Sequence, residues 1–257
     1  MRNEQLEQLE RTLETVSQTH RTDLIIDTAR KILAINHTHE DAHFQLILAL
    51  YKAHQYDTMF ESISTALRYW PQRPWIHYVL YLYYLYQGGA DYVKAKEHIE
   101  EAIHLDPTNA LFYRQLGEIY LINREPDKAI THLSKSIELQ PTNAEYRSRL
   151  ALALLRDHRV RESLGMADQA LRDGADDAGV YDSVGMIYTL AGDLDKGEEL
   201  FRVALRMTPT YDYFQKHIDW VLREKKDREI RERQGKRYTP LYLRHKGTKR
   251  FFDEDAK

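Results

Sequence analysis

A period of 34 residues constrains this chain more than any other feature of its sequence. Ala95, Ala129, Ser163 and Gly197 stand 34 apart, as do Ala102, Ser136, Ala170 and Ala204. Pro107, Pro141 and Pro209 keep the same phase, with Ala175 at the one skipped place. Three registers in phase identify an array of repeated helix pairs, because a small residue at a fixed place on each second helix lets the first helix nest against it.

The first helices carry their own series. Leu82, Leu116, Leu150 and Val184 recur, then Tyr83, Gly117, Ala151 and Gly185, then Tyr86, Tyr120, Leu154 and Tyr188, which gives each first helix an apolar seam at helical spacing. Each unit closes on a stop signal. In LDPTNA and LQPTNA the proline cannot continue the preceding helix, and the asparagine is placed to cap the next one.

With these residues in hand, FYRQLGEIYLINREPDKAITHLSKSIELQPTNA resembles the tetratricopeptide-repeat (TPR) consensus nearly throughout, with Tyr113 where that family often has Trp. The resemblance implies an all-α fold, a TPR solenoid in which antiparallel helix pairs form a right-handed superhelix with a C-terminal capping helix. Five units are expected at 40–73, 76–109, 110–143, 144–177 and 178–211, with Pro74–Trp75 as a two-residue insertion. Residues 1–39 read as a degenerate N-terminal unit or pair of capping helices, since Ile25 and Ile32 occupy small-residue places and His37 replaces the closing proline. A capping helix is expected over 212–234, with Phe214, Ile218 and Val221 on one face. Residues 235–257 show no sustained helical period and are expected to form an extended or flexible tail, basic and rich in aromatics.

Composition narrows the function. The chain has no Cys, which removes disulfides, thiolate zinc sites and cysteine nucleophiles. The longest apolar stretch, Trp75 to Tyr86, falls short of the roughly 20 residues that span a bilayer. The start, MRNEQLEQLERTLETV, lacks the apolar core and cleavage site of a signal peptide, so it is expected to remain in the mature protein and the location to be cytoplasmic, with a peripheral place on a membrane complex left open. No nucleophile elbow and no phosphate-binding glycine loop occurs, and Gly88-Gly89 reads as a turn. No catalytic residue, cofactor, metal or small-molecule substrate is therefore expected. The segment His37-Thr-His39-Glu-Asp-Ala-His43 holds metal-ligating residue types, but it falls in a turn between helices, where polar side chains cap helix ends.

In TPR proteins the first helices line a concave groove that holds an extended peptide or a helix of a partner. Carried onto this sequence, that resemblance points to Phe44, Leu48, Tyr51, His77, Tyr81, Tyr84, Arg114, Gln115, Arg149, Leu152 and Arg156 as groove residues. Gln45, Lys52, Leu80, Gln87, Glu118, Leu121 and Ser148 fall on the same face. The implied surface is aromatic at its N-terminal end and basic in its middle, suiting a partner with a hydrophobic end and an acidic segment. Aromatic and Arg side chains are the usual anchors of protein interfaces, although Tyr rings also fill gaps between helices. The carboxylate clamp of some TPR co-chaperones is absent, since Leu48, Tyr84, Glu118, Leu152 and Met186 stand where the clamp has Asn.

Charge is divided unevenly along the chain. Residues 1–222 hold 24 Lys/Arg against 33 Asp/Glu, residues 223–250 hold 12 against 4, and the last seven carry −2. The body is thus −9 and the segment +8. Arg237, Tyr238, Tyr242, Arg244, Arg250, Phe251 and Phe252 are the candidate contact residues there, for a docking partner, for nucleic acid or for an anionic membrane. The plainer reading is a solvated cap helix with pairs such as Glu224–Arg228 and Glu229–Arg233. Opposite charges also permit the tail to fold back onto the groove until a partner displaces it. The sequence as a whole points to a non-catalytic scaffold or adaptor in the assembly or regulation of a multiprotein complex, and leaves open self-association through the atypical first unit.

Overall fold

The computed structural model describes residues 2–19, 21–174 and 176–244. These hold 14 helices and no strand: α1 (Arg2–Ser17), α2 (Thr22–Ile35), α3 (Glu40–Lys52), α4 (Tyr56–Tyr69), α5 (Pro74–Tyr86), α6 (Tyr92–Leu105), α7 (Ala110–Ile122), α8 (Pro126–Leu139), α9 (Ala144–Arg156), α10 (Val160–Asp173), α11 (Ala178–Ala191), α12 (Leu194–Met207), α13 (Asp212–Arg233) and α14 (Leu241–Arg244). Each 34-residue unit holds one pair. Pro74 and Trp75 are not an insertion between helices: they begin α5, with the proline in the first turn, where its missing N–H would have no helical partner. The extra length of this unit falls in its inner turn, residues 87–91, where the pair before has 53–55.

The registers that set the period are where helices meet most closely. Ala95, Ala129, Ser163, Ala102, Ser136, Ala170 and Ala204 are all 0% exposed. Ser163 Oγ donates to the Ala151 carbonyl across the α9/α10 pair at 2.6 Å. A Cβ added to Gly197 on α12 would lie 2.0 Å from Thr189 Oγ1 and 3.1 Å from the Gly185 carbonyl on α11, so glycine here is a packing requirement.

The helix ends follow local chemistry. Asn143 Oδ1 accepts from the Tyr146 amide at 3.0 Å, and Asn109 Oδ1 accepts from the Leu111 amide at 3.1 Å. Asp91 and Asp193 cap α6 and α12 by accepting from Lys94 and Lys196 amides. Such caps satisfy N–H groups that have no partner within the helix. The turn inside each pair from α3/α4 onward contains one residue of left-handed backbone: His54 (φ 56), Gly88 (φ 66), Arg124 (φ 61), His158 (φ 63) and Gly192 (φ 102).

The chain divides into two compact units after Phe112. In the first, Leu13, Ile25, Ile32, Ile47, Leu50, Ile63, Ile76 and Ile99 are buried between successive helices. Ile25 and Ile32 fill the places that are small in later pairs. The histidine-rich turn works as an end cap: His39 Nδ1 accepts from the Ala42 amide at 3.1 Å, its Nε2 meets Glu10 Oε1 at 2.9 Å, and His43 Nε2 lies 3.0 Å from the His37 carbonyl.

In the second unit α13 lays Phe214, Ile218 and Val221 into the last pair, and Val184, Ile187, Leu190, Leu200 and Phe201 join the same core. Gly235, at φ 67, ends α13. The next residues differ from the expected loose tail. Leu241 is 2% exposed within that core, and Tyr238 and Tyr242 pack against it. The segment lacks a sustained helical period because α14 is a single turn, and its apolar side chains are held by the core beneath.

Candidate interaction faces

In the first unit the first-helix face joins α3 to α5 through aromatic contacts. Phe44 meets Trp75 edge to face at 5.5 Å, and Tyr51 meets Tyr86 likewise at 5.2 Å. Trp75 Nε1 donates to Glu40 Oε1 at 2.8 Å, which fixes the indole, and Arg73 pairs with the same carboxylate at 3.1 Å. Tyr84 stacks on His98 of α6 at 5.4 Å with Lys94 Nζ 5.1 Å above its ring, and His98 Nδ1 faces His77 Nδ1 at 3.3 Å. Phe44, Leu48, Tyr51, His77 and Tyr84 are all half-buried, so each keeps an accessible edge. Burial holds the Tyr51 hydroxyl above its ordinary range, helped by Tyr86, so it stays protonated and can donate a hydrogen bond.

Tyr81 departs from this set. It is 2% exposed, in ring contact with Tyr78 at 6.0 Å, and is a core residue. Tyr86 and Trp75, which a place-by-place transfer from the family omits, belong to the face instead; Tyr86 is 38% exposed. Trp75 stands 35 residues after its partner Glu40, and the sequence brings it onto this face only once Pro74 is read as the first residue of a helix.

The corresponding face of the second unit is ionic. Arg114 pairs with Glu145 of α9 and donates from Nη1 to Gln115 Oε1 at 2.9 Å. Arg149 Nε lies 3.2 Å from Glu118 Oε1 of α7. Arg156 Nη1 donates to the Leu121 carbonyl at 2.6 Å. Burial lowers its pKa to about 10, with Arg124 and Arg149 acting in the same direction and Glu118 against. Gln115 is only 8% exposed, and Leu152 packs on the core shared by α9 to α13, so both serve packing more than the surface. The expected basic middle is therefore largely compensated: Glu145 and Glu118 answer Arg114 and Arg149. Further along, Asp182 Oδ1 of α11 and His217 Nδ1 of α13 meet at 2.6 Å in a buried pair that sequence reasoning misses.

The basic stretch is also compensated through Arg233. Helix α13 holds seven Lys/Arg against six Asp/Glu. Lys225 Nζ reaches Asp195 at 2.5 Å and Glu198 at 2.7 Å. Arg228 pairs with Glu232 at 3.0 Å, where the sequence suggests Glu224, Arg231 with Asp227 at 2.7 Å, and Arg233 with Glu229 at 3.9 Å. Arg237 is exposed, and Tyr238 and Tyr242 are half-buried. Arg250, Phe251, Phe252 and the side chain of Arg244 lie outside the described residues. Among the described residues no group of three or more His, Asp or Glu side chains could hold a metal ion, and no helix is long and apolar enough to cross a membrane.

Two tetratricopeptide-repeat profiles match the chain, over residues 98–131 and 148–212. No curated protein matches it. Among solved structures, the thermophilic TPR protein TTC0263 of Thermus thermophilus is similar at 21% identity and a TM-score of 0.63, covering 71% of this chain and 98% of that one. PilF of Pseudomonas aeruginosa is similar at 18% identity and a TM-score of 0.64, over 84% and 97%. YrrB, a TPR protein with an unusual peptide-binding site, is similar at 18% identity and a TM-score of 0.52, over 77% and 97%. Repeat spacing, close-packed small residues, helix pairing and these likenesses agree on an all-α TPR solenoid, and residues 98–131 and 148–212 of the chain are tetratricopeptide repeats.

Proposed function

We propose that this protein is a non-catalytic interaction scaffold that holds a segment of a protein partner on its first-helix faces, in the assembly or regulation of a multiprotein complex. The observation that carries the reading is a set of ring pairs in the first unit: Phe44 with Trp75, Tyr51 with Tyr86 and Tyr84 with His98 hold each other in place while edges of Phe44, Tyr51, Tyr84 and Tyr86 remain accessible. Rings already fixed by neighbours lose little conformational freedom on binding and offer large apolar area, the properties of interface anchors. YrrB, with its peptide-binding site, supports the same class of partner. The face carries few carboxylates, so the part of the partner lying on it is apolar or uncharged, with Tyr hydroxyls and glutamine amides for its backbone.

The test is capture of binding proteins from the source cell's lysate by the full chain and by a Phe44→Ala/Tyr84→Ala variant. A protein recovered by the wild type in high salt, insensitive to nuclease and lost with the variant, supports the reading. Retention of every captured protein by the variant refutes it. The nucleic-acid alternative predicts instead nuclease-sensitive material that is released as salt rises, and the near-neutral charge of α13 favours the protein partner.

A further inference from the structure

We infer that Tyr238–Leu243 is an internal ligand of the first-helix face in the second unit, and that an extended partner segment of the same chemistry, an aromatic residue followed by Pro-Leu-aromatic, displaces it. After Gly235 turns the chain, residues 236–240 run without helix and α14 follows. The Tyr238 ring lies 5.1 Å from the Arg228 guanidinium of α13. Pro240 sits over Gly192, where a Cβ would come 3.3 Å from its ring and 3.7 Å from Tyr238. Leu241 enters the core that holds Val184 and Leu190 of α11, Leu155 of α9 and Trp220 of α13, and Tyr242 reaches His158 at 5.9 Å. These partners belong to the first helices α9, α11 and α13 or to the turns that follow α9 and α11.

A segment that meets α13 through a cation–π contact at Tyr238, and the core and the turns after α11 and α9 through consecutive contacts at Pro240, Leu241 and Tyr242, is held by its aromatic and apolar side chains, as proposed above for a partner. What holds it is burial of Leu241 and two Tyr rings, not attraction between its basic charge and an acidic face. Because it is tethered one turn from the end of α13, its effective concentration at the site is high, and a free peptide competes poorly until the internal copy is released. The contact is inhibitory only on the reading that these faces bind partners; the occupancy itself can be tested without any partner.

The experiment uses a fluorescein-labelled peptide of residues 236–244, KRYTPLYLR, and a scrambled peptide of the same composition. Binding is measured by anisotropy to the full wild-type chain and to the full chain carrying Leu241→Asp. The expected result is at least tenfold tighter binding of the peptide to the variant, with the scrambled peptide binding neither chain. Equal binding to the two chains, or equal binding of the two peptides, overturns the inference. If Leu241→Asp loses its cooperative melting transition, Tyr238→Ala/Tyr242→Ala in the full chain takes its place with the same expected contrast. Loss of partner capture on the first-unit variant leaves this outcome untouched, so the two readings fail separately.

Discussion

His77 on α5 and His98 on α6 bring their Nδ1 atoms to 3.3 Å, a distance at which the rings can share one proton but repel if both are charged. Burial lowers the pKa of both, and His77 lowers that of His98 further, while Glu101 and a hydrogen bond to the Pro71 carbonyl oppose the shift at His77. His43 is lowered by burial as well. Unfolded, these rings titrate near 6.5, so as the pH drops the unfolded chain takes up their protons first. The stability they contribute is complete above about 6.5 and is lost as the pH falls through the lower folded values. Thermal unfolding at pH 5 should therefore occur below its midpoint at pH 7.5, and His98→Gln should show a smaller drop. An equal drop in wild type and variant would remove the pair from the explanation.

Two helical glycines separate packing from propensity. At Gly197 an added Cβ would lie 2.0 Å from Thr189 Oγ1 and 3.1 Å from backbone, whereas at Gly165 on α10 it would meet nothing within 4 Å. Gly197→Ala should destabilise the chain by about 1–3 kcal/mol through overpacking of the α11/α12 contact. Gly165→Ala should stabilise it by roughly 0.5–1 kcal/mol, because the unfolded chain loses freedom and the helix gains propensity. Urea unfolding of the two variants should move the midpoint in opposite directions.

These glycines also mark what is legible in the sequence. The small-residue registers sit at the closest helix contacts, because only a missing side chain permits that approach and the requirement recurs once per unit. The faces are harder to read. Helix α5, PWIHYVLYLYYLY, is apolar all round, so periodicity cannot tell its core side from its surface side, and a transfer by position takes Tyr81 for the groove while passing over Trp75 and Tyr86. In α7 and α9 the Arg residues are visible, but their neutralisation by Glu145 and Glu118 depends on contacts 31 residues apart. The anchored tail leaves only weak marks, Tyr238 and Leu241 in a basic stretch, since five non-helical residues and one helical turn packed on other helices are too short to show a period.

Asp182 and His217 form a buried hydrogen bond between α11 and α13, each residue 9% exposed. The ring also packs against Phe201 at 5.0 Å and Tyr213 at 4.3 Å, so it cannot turn to water without disturbing the cap. Asp182→Ala leaves His217 Nδ1 without this partner and should lower stability by about 1–3 kcal/mol. Asp182→Asn, which retains an oxygen at the contact, should lose less. Chemical unfolding followed by tryptophan fluorescence in a Trp70→Phe/Trp75→Phe background, where Trp220 of α13 is the one remaining indole, reports on the affected helix; equal losses for Ala and Asn would mean that the hydrogen bond contributes little beyond packing.

The left-handed turn residues give the last prediction. Arg124 ends the α7 turn at φ 61, where a side chain costs about 1–2 kcal/mol relative to the right-handed region and glycine does not. Its charge also lies within reach of Arg156 and disfavours that buried cation. Glycine adds freedom to the unfolded chain worth roughly 0.5–1 kcal/mol against the fold. The balance for Arg124→Gly is a gain of about 0.5–1 kcal/mol, to which relief of the Arg156 repulsion adds with the same sign. Gly88, at φ 66 with nothing within 4 Å of an added Cβ, is the reverse case: Gly88→Ala meets no steric clash, so its change in stability is backbone strain of about 1–2 kcal/mol less the roughly 0.5–1 kcal/mol of freedom removed from the unfolded chain, a net loss of about 0.5–1 kcal/mol. Urea midpoints should rise for Arg124→Gly and fall for Gly88→Ala with unchanged slopes, and a fall in both would show that the arginine side chain holds the turn more firmly than its backbone strains it.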